Sequence, residues 1–143
     1  MSTASNEPTS GFRALNLIPP LNEALDRVGY LTPSPIQAAV IPVACTGRDI
    51  IGQAQTGTGK TAAFLLPFMN NWRGGDLSRP QAIVMAPTRE LALQVAKEAE
   101  SLAPSRHFKT VAVYGGTRFG GQVEKLKAGC TLVVGTPGRV NDH

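Results

Sequence analysis

Four short apolar runs predict the strands of the fold. They span residues 49–53, 82–86, 110–114 and 131–135. Because each run is apolar at consecutive positions, we expect each strand to be buried on both faces, as the strands of parallel sheets are. The pattern from residue 49 onward therefore predicts a buried parallel sheet.

The segments between these runs predict helices. Residues 60–69 are apolar nearly all round, so this helix should be buried, and Pro67 should bend or end it. Residues 90–102 are amphipathic, and residues 121–128 predict a shorter helix. Strand and helix alternate three times, which predicts an α/β fold with right-handed crossovers and helices on both faces of the sheet.

Two helical segments are predicted ahead of the sheet. Paired prolines at positions 19 and 20 and a glycine at position 29 frame a short helix, in the usual order of proline at the start and glycine past the end. The apolar residues 36–45 follow, and Pro42 should kink or end any helix there. Residues 1–10 are rich in Ser, Thr and Asn and are expected to be disordered.

The charge of the chain favours a polyanionic partner. The 143 residues include 14 Lys and Arg against 10 Asp and Glu, a formal net charge of +4. The excess comes from residues 101–143, which hold six bases and two acids. A basic region of this kind suits nucleic acid.

The cysteines and the apolar runs bear on location. Cys45 and Cys130 have no Cys or His at metal-ligand spacing, so we expect buried thiols in a reducing compartment. No apolar run approaches the roughly 20 residues that a membrane span needs, and the N-terminus does not resemble a secretory signal. The expectation is a cytoplasmic protein with no membrane partner.

The stretch AQTGTGKT follows the first predicted strand and opens the next helix, the context that a phosphate-binding P-loop requires. Its glycines let backbone N–H groups turn toward a phosphate chain, and the helix N-terminus adds partial positive charge. Lys60 would neutralise phosphate oxygens, and Thr61 would offer its hydroxyl to Mg²⁺. The strict pattern has Gly where this chain has Ala54, a change that a short side chain can accommodate. The predicted nucleotide site comprises Ala54, Gln55, Thr56, Gly57, Thr58, Gly59, Lys60 and Thr61.

A P-loop does not name a reaction, because kinases, GTPases and motor ATPases share it. No Asn-Lys-x-Asp stretch is present to read guanine. The only Asp-x-x-Gly stretch near the loop, residues 49–52, precedes it instead of following it. A kinase or GTPase is therefore disfavoured.

Several further motifs, in order, resemble those of the DEAD-box ATP-dependent RNA helicases. The resemblance covers residues 12–139 and implies a P-loop NTPase fold with a RecA-like domain. On this basis residues 11–47 form a helical Q-motif region and residues 48–143 an incomplete RecA-like domain. The matching stretches are Phe12, Gly29-Tyr30 and TPSPIQ (Q motif), AQTGTGKT (motif I), APTRELA (motif Ia), Gly115-Gly116, and TPGR (motif Ib).

The Q motif implies ATP as the cofactor, with Mg²⁺. A Gln amide can accept from adenine N6 and donate to N7 at once, whereas guanine presents two acceptors there. Gln37 should therefore select ATP over GTP, unless it is only a polar surface residue. Tyr30 could stack on the base with Phe12 packed nearby, although ordinary core packing is an equal alternative for both.

The other motifs imply contacts with the RNA backbone. All of them follow predicted strands at one end of a parallel sheet, so they should form one continuous surface. Arg118, Lys125, Lys127 and Arg139 would enrich it in positive charge, although the two lysines taken alone fit a solvated helix face better. Locally, Thr88 should cap a helix, and the motifs after the third and fourth strands should be turns. Such contacts predict salt-dependent binding that ignores RNA sequence. The implied RNA contacts are Pro87, Thr88, Arg89, Gly115, Gly116, Thr136, Pro137, Gly138 and Arg139.

The resemblance also sets an expectation about activity. The family's Asp-Glu-Ala-Asp motif, its Ser-Ala-Thr motif and its second RecA-like domain do not occur in these 143 residues. We expect Lys60 and Thr61 to be catalytic residues of an ATP-dependent RNA helicase, while the chain alone binds nucleotide weakly and hydrolyses ATP negligibly. The alternative is a truncated, non-enzymatic module that binds nucleotide and RNA. No motif indicates a protein partner.

Overall fold

The computed structural model describes residues 11–55, 57 and 59–143. The predicted disorder of residues 1–10 and the roles of Thr56 and Thr58 lie outside these residues. No helix in the described ranges is both long and apolar enough to cross a membrane. The elements are a 3₁₀ helix at Gly11–Leu15, then α1 (Pro19–Val28), α2 (Pro35–Ala44), α3 (Lys60–Asn71), β1 (Ala82–Met85), α4 (Arg89–Leu102), β2 (Thr110–Val113), α5 (Phe119–Ala128), β3 (Leu132–Gly135) and α6 (Pro137–Asp142).

The three strands form one parallel sheet in the order β1-β3-β2. Leu132 of β3 lies opposite Ala82 on one side and Thr110 on the other. Parallel neighbours need crossover connections, and α4 and α5 lie in the connections between successive strands. The predicted parallel α/β fold is confirmed.

Helices cover both faces of this sheet, as predicted. Leu132 and Val134 belong to the larger core cluster, which includes buried residues of α1, α3 and α4. Val133 belongs to a smaller cluster, where Leu126 of α5 and Val140 of α6 pack. Neighbouring residues of β3 enter different clusters because successive side chains of a strand point to opposite faces.

The prediction of a strand at residues 49–53 is wrong. Residues 49–53 form neither strand nor helix and pair with no described strand, and Ile51 is fully exposed. An apolar run creates a tendency to form a strand, but a strand also needs a neighbour whose backbone groups complete its hydrogen bonds. None of the described residues provides that neighbour.

The prediction that every strand is buried on both faces holds for β3 but fails for β1. All four residues of β3 are buried. In β1, Ile83 and Met85 are 57% and 64% exposed. β3 has a strand on each side, whereas β1 lies at the sheet edge and no described helix covers the face that carries these two side chains.

Two prolines fall inside helices instead of ending them. α2 continues past Pro42 to Ala44, and α3 continues past Pro67 to Asn71. Proline removes one hydrogen bond of the ladder, and burial of Pro67 and Met69 in the core holds the last turn of α3 in place. The residues predicted as a turn after β3 are helical, because α6 begins at Pro137.

The cysteines are free thiols, but only one is fully buried. Cys130 is buried in the smaller cluster, whereas Cys45 is partly exposed at the end of α2. The expectation of two buried thiols therefore holds only for Cys130. Burial raises the pKa of both thiols above the usual value, so both are protonated at neutral pH.

Candidate functional site

The phosphate-loop segment leads into the N-terminus of α3. Gly57 and Gly59 both have φ of +82°, the left-handed conformation that favours glycine. Gly59 is the N-cap of α3, and no described side chain caps this helix end. The backbone N–H groups of the first turn are therefore left for a ligand, as in anion sites at helix N-termini.

Lys60 and Thr61 begin α3 beside this loop. The Lys60 Nζ donates to the backbone oxygen of Ala54 at 2.7 Å. This hydrogen bond joins the two ends of the phosphate-loop segment. Ala54 and Gln55 lie in the segment before it, outside any helix or strand. The structure thus places an ammonium group and a hydroxyl group at adjacent positions on one helix end.

The Gln37 side chain joins α2 to this loop. It is only 5% exposed, which excludes the alternative of a surface residue. Its Oε1 accepts from the Ser34 backbone N–H at 2.9 Å, and its Nε2 donates to the Gly59 backbone oxygen at 3.1 Å. The Ser34 hydroxyl in turn accepts from the Gln37 backbone N–H at 3.4 Å, which completes a capping box.

Phe12 and Tyr30 form a stacked pair. Their ring centroids are 6.4 Å apart, with 19° between the ring planes. Phe12 is buried in the core, whereas Tyr30 is partly exposed and its hydroxyl donates to Glu98 Oε1 at 3.1 Å. Partial burial, followed by the negative charge of Glu98, raises the pKa of Tyr30. The tyrosine therefore stays neutral, and Glu98 holds its ring in place.

A cavity of about 850 Å³ brings these groups together. Its volume lies in the range of small-molecule sites. Sequence reasoning missed the contribution of α4, because polar residues on an amphipathic helix look like an ordinary solvated face. The predicted site residues that line the cavity are Phe12, Tyr30, Gln37, Gly57, Gly59, Lys60 and Thr61, together with Ser34 of the Q-motif stretch, and the unforeseen ones include Phe64, Gln94 and Glu98.

The donors in this cavity suit a polyphosphate chain and its metal ion. The uncapped end of α3 and the Lys60 ammonium offer positive charge to phosphate oxygens. Among the described residues, no group of three His, Cys, Asp or Glu side chains could hold a metal. Mg²⁺ often binds through few protein groups together with phosphate oxygens and water. The Thr61 hydroxyl could be such a protein ligand.

A second group of predicted residues lies at the carboxyl edge of the sheet. The three strands end in register, with Gly135 opposite both Met85 and Val113. The chain segments that leave these ends carry residues 87–89, 115–116 and 136–139, of which residue 89 begins α4 and residues 137–139 belong to α6. The predicted continuous surface is therefore consistent with the topology. Thr88 caps α4 as expected, because its hydroxyl accepts from the Leu91 backbone N–H at 3.2 Å.

Two arginines on this edge are held by their neighbours. The Arg89 guanidinium lies over the Tyr114 ring, 5.0 Å from its centroid. The Arg139 guanidinium lies 5.5 Å from the Phe119 ring centroid and donates to Gln122 Oε1 at 3.1 Å. Cation–π contacts and hydrogen bonds to a neutral amide orient an arginine without cancelling its charge.

The lysines of α5 do not belong to this surface. Lys125 and Lys127 lie in the last turn of the helix, which leads back to the amino end of β3. The expected charge enrichment is wrong for these two residues, since α5 carries them to the opposite edge of the sheet. Arg118 directly precedes α5 and stays at the carboxyl edge.

Comparison with known proteins assigns a family to this arrangement. The model of the DEAD/DEAH box helicase family matches residues 34–143. The chain belongs to the DEAD/DEAH box helicase family. This DEAD/DEAH box chain is 51% identical over 135 residues to the ATP-dependent RNA helicase DeaD of Klebsiella pneumoniae, and the match covers 92% of the chain and 20% of the relative.

A second helicase and a solved structure support the same family assignment. It is 44% identical over 135 residues to the DEAD-box ATP-dependent RNA helicase CshA of Bacillus subtilis, covering 94% of the chain and 27% of the relative. A crystal structure of a DEAD box protein from Methanococcus jannaschii superposes with a TM-score of 0.83 at 40% identity, covering 93% of this chain and 36% of that one. The chain thus spans about a fifth to a quarter of these curated relatives.

Proposed function

We propose that the chain is the ATP- and RNA-binding portion of an ATP-dependent RNA helicase. The observation that carries the proposal is the hydrogen bond from the buried Gln37 amide to the Gly59 backbone oxygen, at 3.1 Å. This bond ties a base-reading side chain to the phosphate loop. One cavity therefore offers groups for both ends of a nucleotide.

The remaining hydrogen-bonding capacity of Gln37 suits adenine. A Gln amide has two N–H donors and two acceptor lone pairs. The contacts with Ser34 and Gly59 use one of each. The free donor and acceptor are the pair that adenine N7 and N6 require, whereas guanine would set its O6 against the amide oxygen. ATP is the nucleotide proposed on this basis.

The phosphate end of the cavity supplies charge and position. Lys60 would neutralise phosphate oxygens when it leaves the Ala54 carbonyl, and the α3 N-terminus would bind them through backbone N–H groups. Bound Mg²⁺ would stabilise negative charge on the β- and γ-phosphates. Thr61 is the proposed protein ligand of that ion.

The carboxyl edge of the sheet is the proposed RNA site. Arg89 and Arg139 are oriented by aromatic rings and keep their positive charge. Gly115, Gly116 and Gly138 present backbone without side chains, so a sugar-phosphate strand can approach closely. Contacts of this kind bind the backbone and do not read sequence, so affinity should fall steeply with salt.

Isothermal titration calorimetry with ADP and GDP tests the proposal. We expect the native chain to bind ADP at least about tenfold more tightly than GDP, the discrimination of one bidentate contact. Gln37→Ala should lose this preference, and Gln81→Ala, which alters a glutamine directly before β1, should keep it. Equal affinity of the native chain for both nucleotides would refute the assignment of Gln37.

A further inference from the structure

Gln122 of α5 is a buried polar residue that belongs to none of the predicted motifs. Its side chain is 6% exposed and lies between the turn after β2 and helix α6. Its Nε2 donates to the Tyr114 backbone oxygen at 2.9 Å and to the Thr117 hydroxyl at 2.8 Å. Its Oε1 accepts from Arg139 Nη1 at 3.1 Å and lies 3.1 Å from His143 Nε2.

These contacts use the whole capacity of the amide. Two donors and two acceptor lone pairs are available; both donors and one lone pair have partners, and the second lone pair faces His143 Nε2, which donates to it in the tautomer that carries the proton on Nε2. The partners lie on two separate segments, the turn that carries Gly115 and Gly116 and the helix that carries Arg139. A fully satisfied buried amide fixes the relative position of the groups that it joins.

We infer that Gln122 is a positioning residue, which holds the turn after β2 and the Arg139 guanidinium in one arrangement for an RNA backbone. The inference rests on the proposed RNA-binding surface. Gln122 is buried and does not itself reach the RNA. A neutral amide suits this role, because a carboxylate at the same place would neutralise Arg139 and would repel the Tyr114 carbonyl oxygen.

A double-mutant cycle tests this role through RNA affinity. Gln122→Met keeps the length of the side chain and removes all four polar contacts. We expect it to weaken binding of a single-stranded RNA about five- to tenfold, the effect of losing the hydrogen bonds that hold one charged contact. In the Arg139→Ala background the same change should have a clearly smaller effect, because the part of the Gln122 role that acts through Arg139 is then absent and only its hold on the turn after β2 remains.

Three controls separate positioning from general damage. Gln81→Met changes a glutamine at the amino edge of the sheet, where its Nε2 donates to the Gly74 backbone oxygen, and should leave RNA affinity unchanged. ADP affinity should be the same in all variants. Arg139→Lys keeps the positive charge but not the planar donor set, so it should lose most of the RNA affinity that Arg139→Ala loses. This variant leaves Gln122 in place, so it tests the positioning role even if Gln122→Met does not fold.

The outcomes are distinguishable. If the native chain does not bind RNA, or Arg139→Ala binds as the native chain does, the RNA surface itself is wrong and the inference falls with it. If Arg139→Ala weakens binding but Gln122→Met does not, or the two effects simply add, only the role of Gln122 is refuted. Native affinity of Arg139→Lys would also contradict that role.

Discussion

At the scale of single residues, the contact between Gln37 and Gly59 links the two halves of the candidate nucleotide site. Both partners were predicted from motifs, but their hydrogen bond was not, because a motif identifies residues without showing which of them touch. Gln122 could not be predicted at all. A glutamine on a short helix has no spacing that separates a buried amide from a solvated one.

The glycines of the phosphate loop provide a matched test of this contact. Gly57 and Gly59 have the same φ of +82°. A Cβ at Gly57 would meet nothing within 4 Å, whereas a Cβ at Gly59 would lie against the Gln37 amide nitrogen and 3.1 Å from its Cδ. Gly57→Ala should therefore cost about 1 kcal/mol of unfolding free energy, and Gly59→Ala distinctly more. Urea denaturation measures both, and equal losses would contradict the buried contact.

At the scale of elements, the sequence predicted the strands that have neighbouring strands in the sheet. It failed for the apolar run that has no described strand beside it. β3 matches its apolar run because β1 and β2 flank it. The run at residues 49–53 has two consecutive isoleucines but a charged residue at its start and an amide at its end, and its pairing depends on backbone partners that periodicity does not reveal. The prediction that Pro42 would kink or end α2 was wrong, since a proline two residues before the helix end at Ala44 removes little of the helix.

Two N-cap threonines give a prediction at this scale. Thr88 and Thr136 each precede a helix at the carboxyl edge, but only the Thr88 side chain makes a capping hydrogen bond. Thr88→Ala should therefore lower the unfolding free energy by about 1 kcal/mol, and Thr136→Ala should change it by less than about 0.5 kcal/mol. Both substitutions should weaken RNA binding if Thr88 and Thr136 contact the RNA backbone. Equal losses of stability would show that the cap at Thr88 is not formed.

At the scale of the whole molecule, the fold places its two candidate sites on one sheet and leaves one face of β1 uncovered by the described helices. α3 begins at the nucleotide cavity, and the three segments that follow the strands form the candidate RNA surface. The fold class followed from the alternation of elements. The bare face of β1 did not, because burial depends on what covers a strand and not on the strand's own composition.

The exposed edge of β1 predicts self-association of the 143-residue chain. In the part of the chain that the structure describes, β1 pairs only with β3, and its exposed Ile83 and Met85 lie on one face. Open apolar edges recruit further strands, so sedimentation velocity should show oligomers that increase with concentration. Changing both residues to Thr should reduce them. Leu31→Thr, at a residue that is 73% exposed but lies in a loop, should not. A native chain that sediments as a monomer throughout would contradict this prediction.

The central claim is that nucleotide and RNA occupy two separate parts of one sheet's carboxyl side, where Met85 and Ala86 at the end of β1 line the nucleotide cavity. Two-dimensional NMR of the ¹⁵N-labelled chain tests it directly, by titration with ADP and Mg²⁺ and, in a second sample, with a single-stranded RNA. ADP should shift the amide signals of Gln37, Gly57 and Lys60, and RNA those of Arg89, Gly116 and Arg139. Shifts from both ligands on one and the same set of residues, or RNA shifts confined to the amino edge around Gln81, would contradict the claim.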